Sequence, residues 1–297
     1  MAIRMRSWLF APGDSARKME KAIASEADIA LVDLEDSVTP ANRPAARQQV
    51  AEALAACENA ARVWVRINPL AGPDALSDLA AIMEHAPGGV MLPKAEGAGH
   101  VTQLHHYLEA LEAAHGIARG ATRIAALVTE TPGAMFRTHE YAGDYPGKAR
   151  LAALSWGAED LSSALGASAQ RGPDGGYAPV YELARSLCLL AAVNARVAAI
   201  ETVQPEFRDV EALEARARAM RASGFRGMLA IHPAQIAPIN AAFTPSAEEI
   251  AHAQRVVQAF AENPGAGTIA VDGAMLDRPH LALAERLLAE AERADEP

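Results

Sequence analysis

Aromatic side chains are scarce in this chain, 5% of 297 residues, and cysteine is scarcer, with only Cys57 and Cys188. Two cysteines far apart and without CxxC spacing exclude a zinc-ribbon or disulfide framework and fit a reducing cytoplasm. No long block of Lys or Arg is present and the net charge is −10. That balance leaves no electrostatic footprint for nucleic acid or an anionic membrane, so an anionic ligand would need a local basic pocket. The apolar stretch between Met1-Ala-Ile-Arg-Met-Arg-Ser7 and Pro12-Gly13 is too short for a signal-peptide core and far too short to span a bilayer. No export signal is expected, and the location expected is cytoplasmic. Internal repeats and low-complexity tracts are also missing.

What the chain does have is an ordinary enzyme-sized apolar complement, 51% hydrophobic and 22% charged, rich in Ala, Leu and Val. Its length exceeds the usual ~100–200 residues per domain, yet α/β barrels run to about 250 residues as one domain. Eight short β-like runs recur: Ser7–Ala11, Ile29–Leu34, Val63–Asn68, Gly89–Pro93, Arg123–Glu130, Leu151–Trp156, Val197–Val203 and Gly227–His232. Most are apolar on both faces, as buried parallel strands are. Helical segments with Leu, Val and Ala at three- and four-residue intervals alternate with them: Ser15–Ser25, Arg43–Ala56, Ala75–His85, Val101–His115, Tyr177–Asn194 and Val210–Ala222. Eight strands alternating with helices give an α/β fold, a (β/α)8 TIM barrel over residues 1–233. Residues 234–297 form a C-terminal helical extension: a helix over Ser246–Ala261, a break at Asn263-Pro-Gly-Ala-Gly267, a β-like Thr268–Val271 and a last helix from about His280. A barrel does not need this tail, so it is expected to pack on a neighbouring subunit or close over a site. The glycine-rich Arg171–Tyr177 is compatible with a mobile lid or a solvated loop.

In a parallel α/β protein ligands bind at the carboxyl ends of the strands, and here those ends are polar. Strand one leads to Asp14, Arg17 and Lys18; strand two ends in Asp33-Leu-Glu35-Asp36, strand three in Arg66-Ile-Asn68 and strand four in Pro93-Lys94. Strands five to eight supply Glu130, Asp160, Glu201 and His232. Glu130 and Asp160, each closing an apolar run, suggest an oxygen-only site suited to Mg²⁺, which takes one or two protein carboxylates and fills its other positions with water and substrate. The competing reading is that each acid caps the helix that follows. Arg66 offers a fork of donors for a carboxylate or a developing oxyanion, or an ion pair with Glu35 or Asp36, and the two roles are compatible. Arg17 and Lys18 either meet a phosphorylated group at the first helix or are solvated surface bases. His232, before a proline, shapes a strand tip.

Taken in order, Arg6-Ser-Trp-Leu-Phe-Ala-Pro-Gly13, Val32-Asp-Leu-Glu-Asp-Ser-Val38, Val65-Arg-Ile-Asn-Pro69, Met91-Leu-Pro-Lys94, Glu130-Thr-Pro-Gly133, Gly157-Ala-Glu-Asp-Leu161, Ala230-Ile-His-Pro-Ala-Gln-Ile236 and Val271-Asp-Gly-Ala-Met-Leu-Asp277 cover nearly the whole chain. In this set the chain resembles the citrate lyase β-subunit-like family of the HpcH/HpaI aldolase superfamily, of the malyl-CoA or citramalyl-CoA lyase type. The resemblance implies a Mg²⁺-dependent carbon–carbon lyase cleaving malyl-, citramalyl- or citryl-CoA into acetyl-CoA and a 2-keto acid, in either direction. It implies Mg²⁺ held by Glu130 and Asp160, Arg66 on the substrate's carboxylate and keto oxygen, and Glu35 and Asp36 ordering the metal's waters and orienting Arg66. Arg17 and Lys18 would meet the coenzyme A part of the substrate. Asp277, brought from the tail to a neighbouring subunit's site, would be the acid or base at carbon, in a homo-oligomer, a trimer or hexamer. Two departures stand out: Ile200-Glu-Thr-Val-Gln204 where relatives carry an Ile-Asp-Thr-Val-Tyr-like run, and Gly227-Met228 where a Gly-Lys is common. Both bear on the thioester pocket. A malyl-CoA-type thioesterase and a catalytically silent lyase-like subunit are the alternatives.

Overall fold

The computed structural model describes residues 4–173 and 175–295. All eight expected strands form: β1 (Ser7–Pro12), β2 (Ile29–Asp33), β3 (Val63–Arg66), β4 (Gly89–Leu92), β5 (Arg123–Leu127), β6 (Leu151–Ser155), β7 (Ala198–Glu201) and β8 (Gly227–Ala230). They pair in sequence order and β8 returns to β1, closing a barrel in which every pairing is parallel. The fold is therefore the (β/α)8 TIM barrel. Its strands read as they do because both faces are covered: every residue of β2, β4 and β8 is buried, so selection favours continuous apolar runs over alternation.

The helices are α1 (Ala16–Ile23), α2 (Arg43–Ala55), α3 (Ala75–Ile82), α4 (Ala98–His115), α5 (Pro132–Met135), α6 (Ala158–Leu165), α7 (Pro179–Ala195), α8 (Val210–Ser223) and α9 (Ile236–Ala242). No helix among the described residues is long and apolar enough to cross a membrane. Two buried ionic clamps fix the frame around the sheet. Arg150, before β6, grips Glu112 of α4 through Nη1 and Nη2, each at 2.6 Å, and Glu112 also accepts the Thr122 backbone N–H at 3.0 Å. Asp78 of α3 accepts from Arg47 of α2 at 2.6 Å and from the Asn68 backbone N–H at 2.8 Å. Asn68 in turn donates to the Leu34 carbonyl at 2.8 Å, which ties the β3 tip to the β2 tip.

Compact contacts divide the chain after Asn240. The second unit contains α10 (Ala247–Glu262), β9 (Thr268–Val271), β10 (Ala274–Asp277) and α11 (Arg278–Asp295). Ser246 and Glu249 form a capping box that starts α10. Val256, Phe260, Val271, Leu276 and Ala284 share its small core. Where the sequence suggests one β-like segment and a helix from about His280, β10 pairs antiparallel with β9 and α11 begins at Arg278.

Candidate active site

Three strand tips supply the first part of the site. Asp33 ends β2 and Arg66 ends β3, and the two are direct register partners. Their side chains meet as a fork, Arg66 Nε to Asp33 Oδ1 and Nη2 to Oδ2, both 2.7 Å. This bidentate geometry locks the guanidinium plane. The Arg66 guanidinium also lies over the Phe10 ring of β1, 4.9 Å from its centroid. Its Nη1 faces Glu35 Oε2 at 3.1 Å and Asp36 Oδ2 at 3.6 Å. The partner that orients Arg66 is thus Asp33, with Glu35 and Asp36 at longer range; the sequence reading assigned Asp33 no role.

Lys94, at the β4 tip, is the second organising residue and another that sequence reasoning passed over. Its ammonium lies 2.5 Å from Glu35 Oε1, 3.1 Å from Asp160 Oδ1 and 3.8 Å from Asp36 Oδ1. Its backbone N–H donates to Glu130 Oε2 at 2.5 Å. Lys94 holds this position with φ of +49°, a left-handed conformation that costs a non-glycine residue energy and that persists where the surroundings over-determine it.

Glu130 and Asp160 are not strand residues. β5 stops at Leu127, and Glu130 follows in the turn before Thr131, which N-caps α5 by accepting the Ala134 N–H at 3.2 Å. Asp160 lies in the first turn of α6, because the chain leaves β6 after Ser155 and starts a helix at Ala158. Glu130 is 2% exposed. Its carboxylate packs so closely on Gly157 that a Cβ there would come within 3.0 Å of Oε1. Glycine at 157 is the room Glu130 occupies.

Asp33, Glu35, Asp36, Glu130 and Asp160 thus surround two cations, Arg66 and Lys94. Their titration reflects that excess. Burial pushes the Glu130 carboxyl well above its ordinary range, and the charge of Asp160 adds to it. Burial also lifts Glu35 to about 7, against the opposing pull of Arg66 and Lys94. Burial acts the same way on Asp33, but there the Arg66 guanidinium prevails and holds the carboxyl below the usual range. Burial works against the Lys94 ammonium, and Glu35, Glu130 and Asp160 outweigh it. An oxygen-only, partly buried donor set with surplus negative charge suits a hard divalent cation, so the residues present fit Mg²⁺.

Other residues raised by the sequence lie elsewhere. Glu201 is fully buried between the Trp156 indole N–H at 3.0 Å and the Arg216 guanidinium at 2.5 Å. His232 accepts the Ala234 N–H to cap a short turn and stacks on Phe207. Met228 is buried and Gln204 donates to backbone carbonyls. Arg17 and Lys18 are exposed on α1, and no ion pair joins them to the carboxylates among the described residues. The Arg171–Tyr177 loop is closed by a β-bridge between its ends, with Arg171 over the Tyr177 ring at 4.0 Å; its Asp174 lies outside the described residues, as do Met1–Ile3 ahead of the first strand. In the second unit, Asp277 ends β10 and its Oδ1 meets His280 Nδ1 at 2.5 Å.

Comparison with known proteins adds a second line of evidence. Residues 6–233 match the HpcH/HpaI aldolase/citrate lyase family. A citrate lyase subunit beta-like protein of Mycobacterium tuberculosis is 37% identical over 287 residues, covering 97% of this chain and 96% of the relative. A (3S)-malyl-CoA thioesterase of Cereibacter sphaeroides is 33% identical over 297 residues, covering 97% and 94%. The crystal structure of CitE from Mycobacterium tuberculosis in complex with magnesium, acetoacetate and coenzyme A superposes with a TM-score of 0.79 at 36% identity, covering 97% of this chain and 98% of that one.

Proposed function

Because the chain belongs to the HpcH/HpaI aldolase/citrate lyase family, we propose that it is a Mg²⁺-dependent carbon–carbon lyase cleaving a 3-hydroxyacyl-CoA thioester of the malyl-, citramalyl- or citryl-CoA type into acetyl-CoA and a 2-keto acid. The observation that carries this reading is the convergence of Glu130, Asp160, Glu35 and Asp36 on the two cations Lys94 and Arg66 at the carboxyl end of the barrel. The magnesium and coenzyme A of the CitE complex support the same cofactor and substrate class here.

Glu130 and Asp160 would hold the Mg²⁺. When bound, it supplies Lewis-acid stabilisation of negative oxygen on the keto-acid side. Arg66, held flat by Asp33, binds the carboxylate and the oxygen that becomes the ketone. Glu35, whose buried carboxylate faces Arg66 and Lys94, takes the 3-hydroxyl proton as the carbon–carbon bond breaks and its electrons pass into the thioester enolate. Asp277, from the tail of a neighbouring copy in a homo-oligomer, then protonates the enolate carbon. In the condensing direction it removes that proton. Arg17 and Lys18, exposed on α1, would meet the coenzyme A phosphates.

The 33% identity to a (3S)-malyl-CoA thioesterase favours one second reading, in which water attacks the thioester carbonyl on the same scaffold. Incubating the purified protein and Mg²⁺ with malyl-, citramalyl- and citryl-CoA separately tests both. Keto acid with acetyl-CoA supports the lyase and names its substrate. Free thiol without keto acid supports the thioesterase, and no product from any of the three overturns both in favour of a silent subunit.

A further inference from the structure

In the second unit Asp277, the proposed acid or base at carbon, is paired with His280, a residue to which the lyase chemistry gives no role. Asp277 and His280 flank the start of α11, and each side chain is about half exposed, 48% and 51%. Two contacts converge on one ring nitrogen. The Asp277 backbone N–H lies 3.3 Å from His280 Nδ1, and the Asp277 Oδ1 lies 2.5 Å from the same atom. The longer contact requires a lone pair on Nδ1, the arrangement of a helix capping box. The shorter one brings a carboxylate oxygen against that lone pair, and two acceptors do not approach to 2.5 Å without a proton between them. The short contact therefore calls for Nδ1–H and the long one for a bare Nδ1, and the shorter distance favours the first. Oδ2 of Asp277 has no hydrogen bond among the described residues. Leu276 points into the small core while Met275, 77% exposed, and Asp277 project from the other face of β10.

We infer that His280 is a positioning residue for Asp277, donating Nδ1–H to Oδ1 and so presenting Oδ2 as the atom that gives or takes a proton at carbon. The inference rests on the lyase reading for the role of Asp277, but the hydrogen bond itself does not. His280 gives up nothing in this scheme; it fixes which carboxylate oxygen faces the substrate and in what rotamer, as a base is oriented by its neighbour in other proton-transfer sites.

The bond is tested in the full-length protein by long-range ¹⁵N–¹H spectra of the histidine rings, with His280 assigned by its loss in His280→Leu. The expected result is a proton on Nδ1 in the unaltered protein and on Nε2 in Asp277→Ala, where only the backbone N–H remains to meet Nδ1. The Nε2–H form in both would overturn the pairing. For the role, His280→Leu should lower kcat for cleavage roughly 100-fold with KM nearly unchanged. His280→Gln, whose amide can accept the backbone N–H and donate to Oδ1, should restore most of it. Equal kcat in His280→Leu would overturn the positioning role and leave a helix cap. If the unaltered protein cleaves no acyl-CoA, the lyase reading fails while the spectra still decide the pair.

Discussion

Lys94 reaches Glu130 through its backbone and Glu35 and Asp160 through its side chain, so one residue in a left-handed conformation stands where a cation is wanted. With Mg²⁺ held as proposed, its ammonium, 3.1 Å from Asp160 Oδ1, would compete with the metal for that carboxylate. Replacing it with an uncharged chain of similar length removes that competitor while leaving the backbone N–H on Glu130. Lys94→Met should therefore bind Mg²⁺ about tenfold more tightly, roughly 1.4 kcal/mol, while turnover falls because Glu35 loses its partner. Calorimetric titration with Mg²⁺ reads the first effect; unchanged or weaker binding would show that Lys94 does not oppose the metal.

Arg66 and Asp33 form a second testable pair. Asp33 is almost fully enclosed and Arg66 only 12% exposed, so removing Asp33 leaves two buried guanidinium nitrogens, Nε and Nη2, without their acceptors and Arg66 with only its Nη1 contacts to Glu35 and Asp36. Asp33→Ala should cost about 3–5 kcal/mol of stability, measured by denaturant unfolding. Arg66→Lys keeps the charge but loses the fork, and kcat/KM should drop about 10²- to 10³-fold. A loss under tenfold would mean that a point charge suffices and that the guanidinium plane carries no catalytic weight.

Glycine at 157 offers a finer probe. In Gly157→Ala the new methyl meets Glu130 Oε1 at 3.0 Å and must turn the carboxylate. The backbone there is compatible with alanine, at φ −130° and ψ 121°, so folding should be nearly unaffected. Mg²⁺ affinity should fall roughly 10-fold or more, as it does when the groups that aim a metal ligand are disturbed. Titration of the variant with Mg²⁺, beside a thermal melt showing an unchanged midpoint, checks the separation.

Most of the barrel was legible because its strands are buried on both faces, which leaves short apolar runs such as Ile29–Leu34 between amphipathic helices. Their ends were less so. The apolar run to Glu130 continues two residues past the last sheet pairing at Leu127, and nothing in Leu154–Asp160 marks the switch from strand to helix except Gly157. β10 escaped notice because Ala274 and Met275 are exposed and not β-branched; it is a strand only through its pairing with β9. The carboxylates of the site were visible as polar strand ends. Asp33 and Lys94 were present in the same segments, but the role of Asp33 depends on the β2–β3 register and that of Lys94 on a positive φ, and neither leaves a trace in residue type. The resemblance covered the barrel from end to end and the family match agrees over residues 6–233.

The raised carboxyls of Glu35 and Glu130 make stability and metal binding depend on pH in opposite senses. A carboxyl whose folded value lies above its unfolded one binds its proton longer in the native state, so native stability falls as pH rises between the two values. For Glu35 that window runs from about 4.5 to about 7, and Glu130 acts in the same direction. Asp33 and Glu112 are lowered instead; their contribution is present above the ordinary carboxylate range and is lost only at more acid pH, outside the first window. The metal-free protein should therefore melt at a lower temperature at pH 7.5 than at pH 5.5. Held by these carboxylates as proposed, Mg²⁺ would replace their protons, so it should raise the midpoint more at pH 7.5 than at pH 5.5 and release protons on binding near neutrality. Melts at both pH values with and without Mg²⁺, and calorimetry in two buffers of different ionisation heat, measure the two effects. A Mg²⁺ shift that is equal at both pH values, with no proton release, would place the metal away from Glu130.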